Sequence, residues 1–284
     1  MTIEEDGFLS TDAATWIGVH RKNNGDAFEL AERLSRVGQK LMLSTQLTMP
    51  GGVLDARGLA LLLFVRVLSN FQGMILLAER GLVVEARTLA RSCLESTFAL
   101  VAGVKQQDAF VPKMVSHALD ARTKAANSML ERARNSDLIS DKSQAKLRKY
   151  VDEVKAEGEA LAAFATIDMA RRSGLEDFYI FYRALSGDAA HPTLDALNRY
   201  VDNGDADIGT VIAWGPKCGE GEITETLMMA CSFVIASITA LNELSCNPEV
   251  SEEISEAFET FKALSERFGI AQAECASGVG SQQP

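Results

Sequence analysis

The sequence predicts an all-α protein, a mostly antiparallel bundle of about seven to nine helices. Three observations carry this. No stretch strings together several alternating strands. Only 6 prolines interrupt 284 residues, which argues against a sandwich or a linker-rich chain. Hydrophobic residues make up 47% of the chain, and they recur at helical spacing between clear breaks.

The elements follow in order. Residues 1–11 read as a disordered N-terminus, 12–270 as a single helical domain and 271–284 as a disordered polar tail. A first amphipathic helix is expected over Asp26–Leu47, with Phe28, Leu30, Leu34, Val37, Leu41 and Met42 as its apolar stripe. Met49-Pro50-Gly51-Gly52 breaks it. Val53–Arg80 is a long helix, so apolar from Leu59 to Leu68 that it belongs in the centre, and Gly81 suits its C-cap. Leu82–Lys105 is the next helix. Asp108–Asn135 follows, with Pro112 in its first turn, and Leu138–Gly158 is more polar. A short helix ends at Ser173-Gly174 and leads into Leu175–Ser186. Gly187 is expected to stop that helix, and Pro192 to open another reaching Val201. Residues 202–221 carry turn chemistry, with a short extended piece over Ile208–Trp214. Glu222–Leu244 and Val250–Gly269 complete the set, the latter acidic and amphipathic.

Composition narrows the function. Lys and Arg number 28 against 39 Asp and Glu, a net charge of −11. Such a balance opposes general nucleic-acid binding and leaves RNA at a local basic patch as the open case. Arg122–Lys149 is the one basic segment, with eight Lys or Arg against three acids, and reads most simply as a solvated helix hairpin. Five cysteines, Cys93, Cys218, Cys231, Cys246 and Cys275, have no C-x-x-C spacing. They read as thiols of a reducing cytoplasm, with Cys93 and Cys231 buried. The longest uncharged run, Thr226–Asn242, is short for a membrane span and reads as a core helix; no membrane is expected.

Two places gather chemistry. On a helical wheel of Leu82–Lys105, Arg87 falls in the middle of the apolar face, with Leu94 and Phe98 within about 20° of it. Arg91 and Glu95 continue the row at i, i+4, i+8 and can pair with each other. A buried Arg87 needs an acid of its own, and Asp188 is the candidate. The second place is Tyr182 to Pro192. Arg183 and Ser186 share a face there, Asp188 can cap amides or meet an arginine, and His191 can act as acid or base. Ser186 with His191 and Asp188 lacks a nucleophile elbow. The plain reading is a polar brace that holds two helices in register. The functional one is an anion site built from arginines.

The pattern Arg91-Ser92-Cys93-Leu94-Glu95, then Tyr182-x-x-Leu185-Ser186 and His191-Pro192, resembles an uncharacterised bacterial helical family, domain of unknown function 5677. The likeness spans about residues 55–245 and implies an all-helical cytosolic protein with no assigned activity. A weaker likeness is to HEPN ribonucleases of stress and phage defence. They are dimers using a spaced Arg and His. Arg183 and His191 enclose seven residues here, one more than that pattern allows. That resemblance implies His191 as general acid–base and Arg183 as stabiliser of phosphorane charge. His117-x-x-Asp120 and Asp188-x-x-His191, with Glu95, give a partial match to the carboxylate–histidine di-metal sites of bundles.

The leading expectation is therefore a cytosolic bundle protein whose Arg87, Arg91, Glu95, Tyr182, Ser186 and Asp188 cluster binds a small ligand or protein partner, or braces the fold. No cofactor and no metal are assigned. A homodimer is compatible with the acidic last helix. The ribonuclease, with Arg183 and His191 catalytic, and the di-metal protein are its rivals.

Overall fold

A computed structural model of the chain describes residues 6–134, 139–156, 165–189, 193–203, 210–212 and 218–270. The protein is all-α. Its helices are α1 (Ala13–Asn23), α2 (Gly25–Ser44), α3 (Ala56–Ala78), α4 (Val83–Gln106), α5 (Val111–Ala133), α6 (Asp141–Ala156), α7 (Thr166–Ser173), α8 (Tyr179–Ala189), α9 (Leu194–Leu197), α10 (Glu222–Ser245) and α11 (Pro248–Phe268). Among the described residues, ten of these have eight residues or more, slightly above the expected number. Two three-residue strands, β1 (Val201–Asn203) and β2 (Thr210–Ile212), pair antiparallel, with Val201 opposite Ile212.

α4 is the axis of the bundle. It packs against α3, α7, α8 and α10, and every residue from Ser96 to Val104 is buried. α10 is the second core helix, set against α2, α3, α4 and α11. Phe64 and Phe71 of α3, Phe98 of α4 and Phe233 of α10 are fully enclosed. Burying a side chain of this kind contributes about 1.5–3 kcal/mol each. Among the described residues, the Thr97 and Ser237 hydroxyls meet across this apolar centre at 2.9 Å, and each also lies within hydrogen-bond distance of a carbonyl of its own helix, so neither is stranded. The α2–α3 contact is closer still. A Cβ on Gly38 would stand 2.5 Å from Leu68 Cδ2.

Both α3 and α10 are long and apolar enough to cross a membrane by length and composition. α10 is mostly buried by its neighbours, as the uncharged run Thr226–Asn242 predicts, whereas α3 keeps Leu62, Val65 and Leu76 exposed. α5 and α6 form a hairpin whose buried Thr123, Ala126, Val151 and Val154 lie outside the main core.

Local signals explain the boundaries. Gly81 takes φ +77° and its N–H bonds the Ala78 carbonyl, ending α3 as expected. Asn247 caps α11, accepting from the amides of Glu249 and Val250 at 3.1 and 3.2 Å ahead of Pro248. Two expectations are corrected. α1 lies ahead of the first predicted helix. Its hydrophobic pattern is faint and it buries Ala13 alone, so its sequence lacks a core-facing stripe. Gly187 does not stop α8, which runs through it to Ala189; a helical glycine costs only about 1 kcal/mol against alanine. Thr193 opens α9, accepting from the Ala196 amide, and Pro192 lies outside the described residues.

Candidate functional site

The first turn of α10 faces the first turns of α4. Arg87, on the inward face of α4, has a side chain only 11% exposed. Its Nη1 lies 3.3 Å from Glu222 Oε1 and its Nη2 3.1 Å from Glu225 Oε2. Its Nε donates to Thr226 Oγ1 at 3.1 Å. Acids in the first turn of a helix are also favoured by the helix dipole.

Glu222 is the hub. Arg199, from the turn after α9, donates from Nη1 to Oε2 at 2.9 Å and from Nη2 to Oε1 at 2.6 Å. The Gly219 amide adds a third bond at 2.7 Å. Such forked, charge-assisted contacts are the strong ones. Burial alone pushes the Glu222 carboxyl up. The bonds from Arg199 and Gly219, with the charges of Arg87 and Arg199, outweigh it and hold the group below the ordinary carboxylate range.

A cavity of about 1050 Å³ opens beside this network. Among the described residues, Arg87, Glu220, Glu225, Thr224, Cys218, His20, Asn23 and Asn24 line its polar side, while Phe181, Leu185, Ile223 and Met229 form much of its apolar wall. The Thr224 hydroxyl donates to Asn24 Oδ1 at 2.8 Å and ties α10 to the α1–α2 junction. Burial lowers the His20 pKa, which favours neutral imidazole. Burial and then the Glu222 charge raise the Cys218 thiol, against the opposing pull of Arg87 and Arg199. A protonated thiol is a poor nucleophile. Cys93 is pushed up to about 12, chiefly by burial, and buried Cys231 is raised further by the same cause. Both match the expected buried thiols, while Cys275 lies outside the described residues.

One turn along α4, Arg91 meets α8. Its Nη2 donates to the Tyr182 hydroxyl at 2.8 Å and lies 3.2 Å from Glu95 Oε1. The guanidinium sits 4.9 Å from the Tyr182 ring centre, a cation–π distance, and Tyr179 stacks on Tyr182 at 5.4 Å. Ser186 Oγ donates to the Tyr182 carbonyl at 2.6 Å. The two helices singled out in the sequence do face each other, through Arg91 and Tyr182.

Other candidates fall elsewhere. Among the described residues the acids on Arg87 are Glu222 and Glu225; the expected partner, Asp188, has a side chain outside the described ones. Arg183 is exposed, and His191 lies outside the described residues. Asp120 takes Lys124 at 2.7 Å and Glu95 takes Arg91. Among the described residues no three histidine, cysteine or acidic side chains come together as a metal site.

Glu222, Glu225 and Arg199 escaped the sequence reading. One signal was there to find. Glu222-x-x-Glu225 is the only charge on a helix otherwise uncharged to Asn242, one helical turn apart on its entry face.

A family model described as a family of unknown function (DUF5677) matches residues 57–208, a shorter span than the likeness read from the sequence. The matched span holds Arg87, Arg91, Glu95, Tyr182 and Ser186, while Glu222 and Glu225 lie beyond it. No curated protein and no solved structure matches the chain, and no comparison returns a ribonuclease.

Proposed function

We propose, for a chain that belongs to the DUF5677 family of unknown function, that it works as a small-molecule-binding helical bundle. One observation carries the reading: the cavity of about 1050 Å³ has a polar wall and an apolar wall. That size and mixed lining suit a drug-sized organic ligand. The charged groups beside it favour binding over chemistry. Arg87, Glu222, Glu225 and Arg199 balance one another, which supports a polar wall that keeps its shape before any ligand arrives. The protonated Cys218 thiol supplies no ready nucleophile. The free thiols fit a reducing, cytoplasmic setting.

The test uses Ala184, an exposed residue that lines the cavity. Ala184→Trp fills space there without overpacking the core. The full chain should bind a neutral, environment-sensitive dye such as Nile red with one-to-one stoichiometry, and the variant should lose that binding while melting at the parental temperature. Parent and variant that bind the dye alike would overturn the reading.

A further inference from the structure

We infer that the outer face of α3 is a dimer contact, and that its occupant is the same face of a second copy of this chain. This surface is separate from the cavity: among the described residues that line it, none comes from α3. A helix on the outside of a bundle ordinarily turns polar residues to water. α3 instead leaves Leu62 51% exposed, Val65 38% and Leu76 57%. Exposed apolar side chains are ordinary one at a time, but these share one line along the helix with exposed Ser69. Met49, also exposed, extends the line at its N-terminal end, with Sδ 3.2 Å from where a Cβ on Gly58 would stand. α3 also carries two arginines and no acid, in a chain of net charge −11.

The pattern selects a second copy because it is palindromic. At about 100° per residue, Leu62 and Leu76 fall about 20° either side of Ser69, and Val65 and Gly73 about 40° either side. Two antiparallel α3 helices that cross at Ser69 on a two-fold axis therefore set Leu62 level with Leu76 of the second copy, and Val65 level with its Gly73. An isologous contact requires this reciprocity. Gly73 brings no side chain of its own, and Leu89 of α4 reaches to 2.8 Å from where its Cβ would stand, so Val65 meets apolar surface there. Ser69 is small, so the two backbones can approach at the axis. Arg66 lies about 60° from the centre line, where its stem covers the edge of the contact and its charge stays in water. The lack of acids on α3 lets two chains of like net charge meet without carboxylates pressed together. From Gly58 to Leu76 the face is about 27 Å long, and with the flanks of neighbouring helices about 20 Å wide. Two copies then bury about 1,100 Å² in total, at the lower end of specific interfaces, which fits a reversible dimer. A lipid surface also accepts an apolar line, but it has no use for a glycine set level with a valine across an axis.

The experiment is analytical ultracentrifugation of the full-length protein between about 1 and about 100 µM, repeated on Leu62→Glu and Ser69→Cys. The parent should form a reversible dimer within that range. Leu62→Glu changes an exposed position, so it should melt like the parent yet dimerise about a hundredfold more weakly, because symmetry enters the change twice. Ser69→Cys sets two thiols at the axis and should give a disulfide-linked dimer in air, well above the level that the parent's own cysteines give. A parent that stays monomeric at about 100 µM would refute the contact. So would a dimer that survives Leu62→Glu and links no faster through Ser69→Cys. Vesicles of phosphatidylcholine and phosphatidylglycerol test the lipid surface. A monomeric parent that floats with them, and stops floating in Leu62→Glu, would assign the face to a membrane instead. None of these results bears on dye binding in the cavity, so the two readings stand or fall apart.

Discussion

Replacing Arg87 with methionine separates a buried brace from a solvent-exposed one. The guanidinium is only 11% exposed and joins Glu222, Glu225 and Thr226. Breaking a buried ion pair by removing one partner costs about 3–5 kcal/mol. Here the loss belongs at the lower end. Glu222 keeps Arg199 and the Gly219 amide, and Glu225 is exposed enough to rehydrate. Methionine retains most of the buried stem, so the expected loss is about 3 kcal/mol. For a chain of this length that lowers Tm by about 6 °C at neutral pH, read by calorimetry. Arg91→Met is the internal comparison. Its side chain is 27% exposed and Glu95 is 42% exposed, so about 1 kcal/mol is expected. An Arg87→Met melting curve that overlays the parent, or a larger loss for Arg91→Met, would refute the ranking by burial.

Glu222 also sets an acid limit. Its pKa is held below the unfolded value of 4.5, so its ionised form stabilises the fold above that pH, and the stabilisation is lost as pH falls through the lower folded value. Urea midpoints measured from about pH 6 to about pH 3 should fall more steeply for the parent than for Glu222→Gln; parallel curves would count against the assignment. Gly38→Ala should destabilise by about 1–3 kcal/mol, because its new Cβ would meet Leu68 Cδ2 at 2.5 Å. A neutral melting temperature would mean that α2 and α3 can part more easily than their packing implies. Thr97→Val and Ser237→Ala should couple by about 1 kcal/mol in a double-mutant cycle across the α4–α10 contact. Asn247→Ala should cost about 1 kcal/mol through loss of the α11 cap, seen as earlier fraying in amide exchange.

Much of the fold is legible in the sequence because its core helices announce themselves. The apolar run of α3, the uncharged run of α10 and the Gly81 cap need no tertiary information. α1 was hidden because its contacts bury too little to leave a hydrophobic stripe. The site is legible by halves. The wheel of α4 places Arg87 among Leu94 and Phe98, and burial then demands an acid. The identity of that acid is a long-range fact. Glu222 and Glu225 lie 135 and 138 residues further on, beyond the reach of a wheel drawn on one helix, and the Asp188 side chain lies outside the described ones. Arg91 and Tyr182 were both singled out from their own helices, and their meeting needed only that α4 and α8 pack face to face. Gly187 misled because glycine permits a helix to end without requiring it.

The enclosure of α4 has a consequence for how the protein opens. From Ser96 to Val104 the helix has no side exposed to water, so its amides cannot exchange by fraying or by a local breath. They must wait for α3, α7, α8 and α10 to separate. Deuterium uptake in that segment therefore clocks global unfolding, whereas uptake in the α5–α6 hairpin, whose buried residues lie apart from the main core, reports only its own detachment. One labelling time course contains both clocks, and the gap between them measures how far the hairpin can come and go while the bundle stays shut.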